Sequence, residues 1–118
     1  VKGLKEWNFG KFEGASEDLN PRLPYGDFYK QYDGEGEVEF RERMMATITE
    51  LMQRPGHESV LCVGHGAAVA QVMRTVGVDP LKMKNRIGNC CVLELDFDPT
   101  TSTFAFADLY NPYGIPRE

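Results

Sequence analysis

The residue with the clearest capacity for chemistry is His65, which lies between two glycines at the end of an apolar run. Residues 59–63 form this run, and a helical pattern begins after Gly66. In an open α/β sheet, ligands bind at the carboxyl ends of the strands, and the first N–H groups of a following helix favour anions. The flanking glycines let a ligand approach the backbone closely. The segment therefore predicts a phosphate site, with a packed histidine bonded to the backbone as the alternative.

A second candidate lies near the start of the sequence, where two carboxylates are surrounded by aromatic residues and glycines. Glu6 and Glu13 belong to this segment, residues 4–14. Aromatic surroundings desolvate a carboxyl group, which is one way in which proteins prepare a general acid. Considered without the rest of the chain, however, the segment favours two solvated loop carboxylates.

Together the two segments resemble the histidine phosphatase superfamily, which has the phosphoglycerate-mutase-like fold. That family carries a segment of the form Leu-x-Glu-x-x-x-Gly-x-x-Glu-Gly, then an acidic stretch leading into a helix with an internal arginine, then an apolar strand ending in His-Gly. The chain matches these motifs in the same order, at Leu4, Glu6, Gly10, Glu13 and Gly14, at residues 34–43, and at His65 and Gly66.

The resemblance implies a two-step phosphoryl transfer through a phosphohistidine. Glu6 corresponds to the general acid that protonates the leaving oxygen, and His65 to the second histidine that stabilises the transferring phosphoryl group. The Gly66 N–H would assist, and Asn89, at the entrance to a predicted hairpin, is a further pocket candidate. The implied substrate is a small phosphorylated metabolite, with no cofactor and no metal. The short ending of the first motif is more similar to phosphatase members than to the glycolytic mutases.

The chain departs from the family in lacking its nucleophile, the histidine of an N-terminal Arg-His-Gly motif. Its two histidines are His57 and His65, and neither follows an arginine. His57 follows a Pro-Gly turn and is predicted to be exposed. The interpretation is that residues 1–118 form the C-terminal part of a single histidine-phosphatase-like domain and are inactive alone.

Two other function classes are alternatives to this interpretation. One is a non-catalytic phosphate- or anion-binding module that keeps the pocket. The other is an esterase-type hydrolase, which needs a Gly-x-Ser-x-Gly elbow. No serine of the chain lies in such a motif, so the esterase is the remote alternative.

Composition excludes several further classes. A chain of 118 residues suffices for one domain, and a net charge of -5 argues against non-specific nucleic-acid binding. Three cysteines without a disulfide or zinc spacing indicate reduced thiols and a cytoplasmic location. Cys62 and His65 have a Cys-x-x-His spacing, but no second ligand pair follows. No apolar stretch is long enough to predict a membrane span.

The pattern of predicted helices and strands indicates an α/β fold of three layers, αβα, of which this chain forms an incomplete C-terminal part. After a loop region at 4–34, apolar periodicity predicts helices at 38–54 and 67–76. Alternation predicts a C-terminal antiparallel hairpin from strands at 91–97 and 103–109. The central strand at 59–63 is apolar on both faces and needs a neighbour on each side. We therefore expect an exposed sheet edge and self-association through it.

Overall fold

The computed structural model describes residues 2–13 and 25–116. These residues form two α-helices and four short or medium strands, with short 3-10 turns before the first helix and after the second. In chain order these are α1 (Glu37–Gln53), α2 (Gly66–Thr75), β1 (Asn85–Arg86), β2 (Val92–Asp98), β3 (Thr103–Tyr110) and β4 (Ile115–Pro116). Both predicted helices are confirmed, each shifted by one residue toward the N-terminus. In the described part of the predicted loop region only short 3-10 turns form, and Gly14 of the first motif lies outside the described residues.

Helix α1 forms because apolar side chains recur along one face and acidic residues occupy its first turn. Phe40 and Met44 are buried on that face, whereas Val38 is exposed. Glu37 and Glu39 lie in the first turn, where carboxylates complement the helix dipole. The helix ends at Gln53 and the next residue is extended, as expected before a proline.

Helix α2 packs against α1 and ends in a Schellman motif. The Val78 N–H donates to the Met73 carbonyl at 2.9 Å and the Gly77 N–H to the Arg74 carbonyl at 3.2 Å. Gly77 has a φ of +89°, the left-handed conformation that glycine adopts most easily at this position. The core between the helices also takes in aromatic side chains from the loops, so that its buried members are Trp7, Tyr29, Phe40, Met44, Ala68 and Val72.

The predicted hairpin is confirmed, with its first strand shifted by one residue toward the C-terminus and its second strand one residue longer than expected. β2 and β3 are antiparallel, with a register shift between Glu94 and Leu95. The Phe97 and Phe104 rings face each other across the strands at 4.9 Å between centroids. A second two-stranded sheet pairs β1 with β4. The partly buried side chains of Leu93 and Leu95 join the hairpin to the helical core.

The predicted central strand at 59–63 is where structure and expectation differ. These residues are not paired with any other described segment, and Leu61 is 84% exposed and Val63 82% exposed. A strand that is apolar on both faces requires neighbouring strands on both sides, and the two sheets of the described chain each pair only within themselves. The two helices and antiparallel strands thus represent an incomplete α/β fold. No helix in residues 2–13 and 25–116 combines the length and apolarity needed to cross a membrane.

Candidate functional site

The segment that carries Glu6 is fixed to the core by its neighbour Trp7. The Trp7 side chain is buried, with its ring 5.0 Å from Phe40 and 5.9 Å from Tyr29 between centroids. Its indole N–H donates to the Glu35 carbonyl at 2.8 Å. The Glu35 N–H in turn donates to the Asn8 carbonyl at 2.7 Å. This irregular segment therefore has a defined position although it lacks regular secondary structure.

Glu6 and His65 meet in the structure. The Glu6 Oε2 atom lies 3.9 Å from His65 Nδ1, and the two side chains are 33% and 60% exposed. The other carboxylate oxygen, Oε1, accepts a hydrogen bond of 2.8 Å from the Trp7 N–H. One oxygen is thus held by the backbone while the other faces the imidazole.

His65 occupies the N-cap position of α2, with extended backbone angles of φ -116° and ψ 161°. Its carbonyl accepts from the Val69 N–H at 3.1 Å and so begins the helical hydrogen bonds. Gly64 and Gly66 face open space: a Cβ atom added at either would meet no described atom within 4 Å. Packing among the described residues therefore does not require these glycines, and they leave the first N–H groups of α2 accessible.

The backbone conformation and close packing at Gly10 of the first motif require a glycine there. Its φ is +59°, and an added Cβ would collide with the backbone of Tyr32 and Gly34. The Gly10 N–H donates to Asn8 Oδ1 at 2.9 Å. Glu13, the second carboxylate of the motif, accepts at 3.0 Å from the Phe9 N–H. Glu13 braces the turn, whereas Glu6 faces the histidine.

Arg43 makes more contacts with the segment of Glu6 than the sequence predicts, since an ion pair on the surface of the helix is the ordinary expectation for an arginine there. It does form an ion pair, with two hydrogen bonds to Glu35 of 2.9 and 2.8 Å. It also donates to the carbonyls of Gly3 at 2.8 Å, Lys5 at 2.9 Å and Glu6 at 3.2 Å. A signal did exist in the sequence: residues 34–43 match the family's acidic stretch and internal arginine.

The ion pair between Glu35 and Arg43 keeps the Glu35 carboxyl group ionised. Partial burial alone raises the pKa of the Glu35 carboxyl group, but hydrogen bonds from Arg43 and the Asn8 N–H outweigh it and lower that pKa below 4.5. Glu35 is 18% exposed and Arg43 26%, so water screens the pair only in part. Glu35 therefore remains ionised at neutral pH and holds the guanidinium in one orientation.

A second polar cluster fixes α2, and with it His65, to α1. Glu37 Oε2 lies 3.1 Å from Arg41 Nη2 and 3.5 Å from Arg74 Nη1. Arg41 Nε donates to the buried Gln71 Oε1 at 2.9 Å, and Glu37 Oε1 accepts from the Gly26 N–H at 3.1 Å. The first half of α1 thus contacts both the segment that carries Glu6 and the helix α2 that follows His65.

An open cavity of about 580 Å³ lies beside Glu6, lined by Lys2, Lys5, Glu6, Trp7, Asn8, Glu13, Glu35 and Arg43. His65 borders Glu6 but does not line this cavity, and Asn89 is exposed in the turn before β2. His57 is exposed, as expected, with Nε2 2.9 Å from the Leu51 carbonyl oxygen. Within the described residues, no three His, Cys, Asp or Glu side chains cluster as a metal site would require.

Comparison with known families gives the class of protein. A family model described as the histidine phosphatase superfamily, branch 1, matches residues 1–108. The chain belongs to this superfamily, which confirms the resemblance drawn from its motifs and supports a phosphatase-type function in general. Searches of curated proteins and of solved structures gave no significant match.

Proposed function

We propose that the protein is a phosphatase of the histidine phosphatase type that acts on a small phosphorylated metabolite through a phosphohistidine intermediate. The observation that carries the proposal is the 3.9 Å approach of Glu6 Oε2 to His65 Nδ1. Two motifs far apart in the sequence thereby bring a proton donor and an imidazole together. The leaving oxygen needs the proton donor, and the imidazole stabilises the transferring phosphoryl group.

The proposed reaction has two steps. In the first, the bond between phosphorus and the leaving oxygen breaks as a bond from phosphorus to a histidine nitrogen forms, and Glu6 gives its proton to the leaving oxygen. His65 and the Gly66 N–H stabilise negative charge on the phosphoryl oxygens. In the second, ionised Glu6 takes a proton from the water that attacks phosphorus, and the histidine nitrogen leaves. The proposal assigns this nucleophile to a histidine outside residues 1–118.

The size of the cavity beside Glu6 supports a small substrate. Its lining balances three cationic side chains, Lys2, Lys5 and Arg43, against three carboxylates, Glu6, Glu13 and Glu35. The volume of about 580 Å³ falls within the usual range of small-molecule sites, about 300–1,000 Å³.

Binding of inorganic phosphate tests the location of the site, and the two histidines provide a matched pair. In an NMR titration we expect phosphate to shift the ring signals of His65 in a saturable manner and to leave those of His57 unchanged. His65→Asn should abolish saturable binding, whereas His57→Asn should preserve it. Equal, non-saturating shifts of both rings would contradict the proposal.

Turnover separates the enzyme from its alternatives. The isolated 118-residue chain should hydrolyse no aryl phosphate. Hydrolysis by this chain that His65→Ala abolishes would contradict the proposal, because it would place the nucleophile within these residues. The natural full-length protein should acquire an acid-labile phosphoryl label from a phosphorylated substrate. A protein that binds phosphate at His65 but is never labelled would instead be an anion-binding module.

A further inference from the structure

We infer that Arg43 is a positioning residue for Glu6 rather than a ligand of the substrate phosphate, and that Glu35 holds Arg43 in this role. The inference deepens the proposed function and rests on it, because it concerns the group proposed as the general acid. It begins from an apparent contradiction: Arg43 lines the cavity beside Glu6, where an arginine would ordinarily be assigned to phosphate binding.

The donor count of the guanidinium decides between the two roles. A guanidinium carries five N–H donors. Arg43 makes one hydrogen bond through Nε, two through Nη1 and two through Nη2, to acceptors within the protein. All five donors are therefore used, and a phosphate could bind Arg43 only by displacing one of these partners. The bidentate pair with Glu35 is the costliest to displace, because both of its bonds are charge-assisted.

The acceptors of Arg43 show what it positions. Three of them are the backbone carbonyls of Gly3, Lys5 and Glu6. One side chain of α1 therefore fixes the backbone at Glu6 and at two residues before it. Glu35 contacts the continuation of the same segment, through its carbonyl to the Trp7 indole and through its carboxylate to the Asn8 N–H at 2.9 Å. The backbone of Glu6 is thus held on both sides.

The side chain of Glu6 is oriented by the same arrangement. Its Oε1 accepts from the Trp7 N–H, and the position of that N–H depends on the buried indole ring beside it. Oε2 is then directed to His65. Lysine could not replace Arg43 in this role, because an ammonium has three donors and cannot form the planar bidentate pair.

The test measures whether Glu6 still senses His65 when Arg43 is changed. In the wild-type chain, Glu6→Gln should shift the His65 ring signals at a fixed neutral pH, because the carboxyl group 3.9 Å from the ring is replaced by an amide. In Arg43→Met and Arg43→Lys backgrounds we expect this Glu6-dependent shift to be lost. Arg54→Lys is the matched control, since Arg54 directly follows the same helix and forms an exposed ion pair with Glu50, and there the shift should remain.

The chain's single tryptophan distinguishes release of the segment from general unfolding. We expect Trp7 fluorescence to move to longer wavelength in Arg43→Met while far-ultraviolet circular dichroism is retained. Should Arg43→Met not fold, Arg43→Lys and Glu35→Gln give the same readout with smaller disruption. A Glu6-dependent shift that persists in folded Arg43 variants would overturn the inference. Because this test uses no phosphate, failure of phosphate binding at His65 would count against the proposed function separately.

Discussion

Glu35 and Arg43 are joined by two N–H to O hydrogen bonds of 2.9 and 2.8 Å across the start of α1. The pair connects the helix with the loop segment that carries Glu6, and its two partners are only partly accessible to water. Charge state at Glu35 therefore affects the stability of the site as well as its geometry, which makes the pair sensitive to pH.

The first prediction concerns that pH sensitivity. The pKa of Glu35 is lowered in the folded chain below its ordinary value of 4.5, so the unfolded chain takes up the proton at higher pH than the folded chain does. The stabilisation is therefore complete above pH 4.5 and is lost as the pH falls through the folded pKa. Urea unfolding between about pH 6 and about pH 3 should show this loss. Glu35→Gln should remove the part of the pH dependence due to Glu35, and an unchanged profile would contradict the assignment.

The second prediction concerns the core beneath the site. Phe40 is fully buried on α1 and touches Trp7, whereas Val38 on the same helix is 58% exposed. Phe40→Ala should lower the free energy of unfolding by about 3–5 kcal/mol, because it removes a large ring and leaves a cavity. Val38→Ala should change it by less than about 0.5 kcal/mol. Denaturant unfolding measures both, and equal effects would show that the assigned core is wrong.

The third prediction compares two glycines, one packed tightly against the backbone and the other facing open space. Gly10→Ala should destabilise the chain by about 1–3 kcal/mol, because it forces a side chain into a left-handed conformation and against the Tyr32 backbone. Gly64→Ala faces open space and should be nearly neutral in stability. The change at Gly10 should also expose Trp7 to acrylamide quenching. A neutral Gly10→Ala would mean that the turn at residues 10–13 does not support the site.

The fourth prediction concerns the unpaired apolar segment at 59–63. Leu61 and Val63 are among the most exposed large apolar side chains described, and contiguous exposed apolar surface of this kind promotes association. We expect the chain to self-associate in sedimentation experiments and Leu61→Lys to reduce this association without loss of helical content. Val38→Lys, at an exposed position on α1, is the control. A wild-type chain that remains monomeric across the concentration range would refute the prediction.

The parts of the fold that could be predicted from sequence are those encoded locally. Helix α1 follows from the spacing of Met44 and its apolar neighbours and from the Pro-Gly stop, and α2 follows from the glycine after it. The hairpin follows from alternation in β2 and β3. The strand predicted at 59–63 does not form a pair, because strand formation depends on partners that the described chain does not supply.

The site could be predicted only in part, for a similar reason. Glu6 and His65 are recognisable from their motifs, and the structure brings them together. Their roles, and those of Gly66 and Asn89, remain predictions. The contacts of Arg43 could not be predicted, because its partners are mostly backbone carbonyls distant in sequence, and residue types do not show which carbonyls will accept a hydrogen bond. The burial of Trp7 beside the partly exposed Glu6 is likewise a property of the assembled core.

The two arginines of α1 make the geometry of the site a matter of helix phase. Arg41 contacts Glu37 and Gln71, which secures α2 and His65, while Arg43 secures the segment of Glu6. Two residues apart on a helix, they point in directions about 160° apart. Inserting one residue between them would turn one set of contacts by about 100° relative to the other. The position of the Glu6 segment relative to α2 therefore depends on the two-residue spacing of these arginines, and an insertion between them would separate the acid from the imidazole while leaving the length of every loop unchanged.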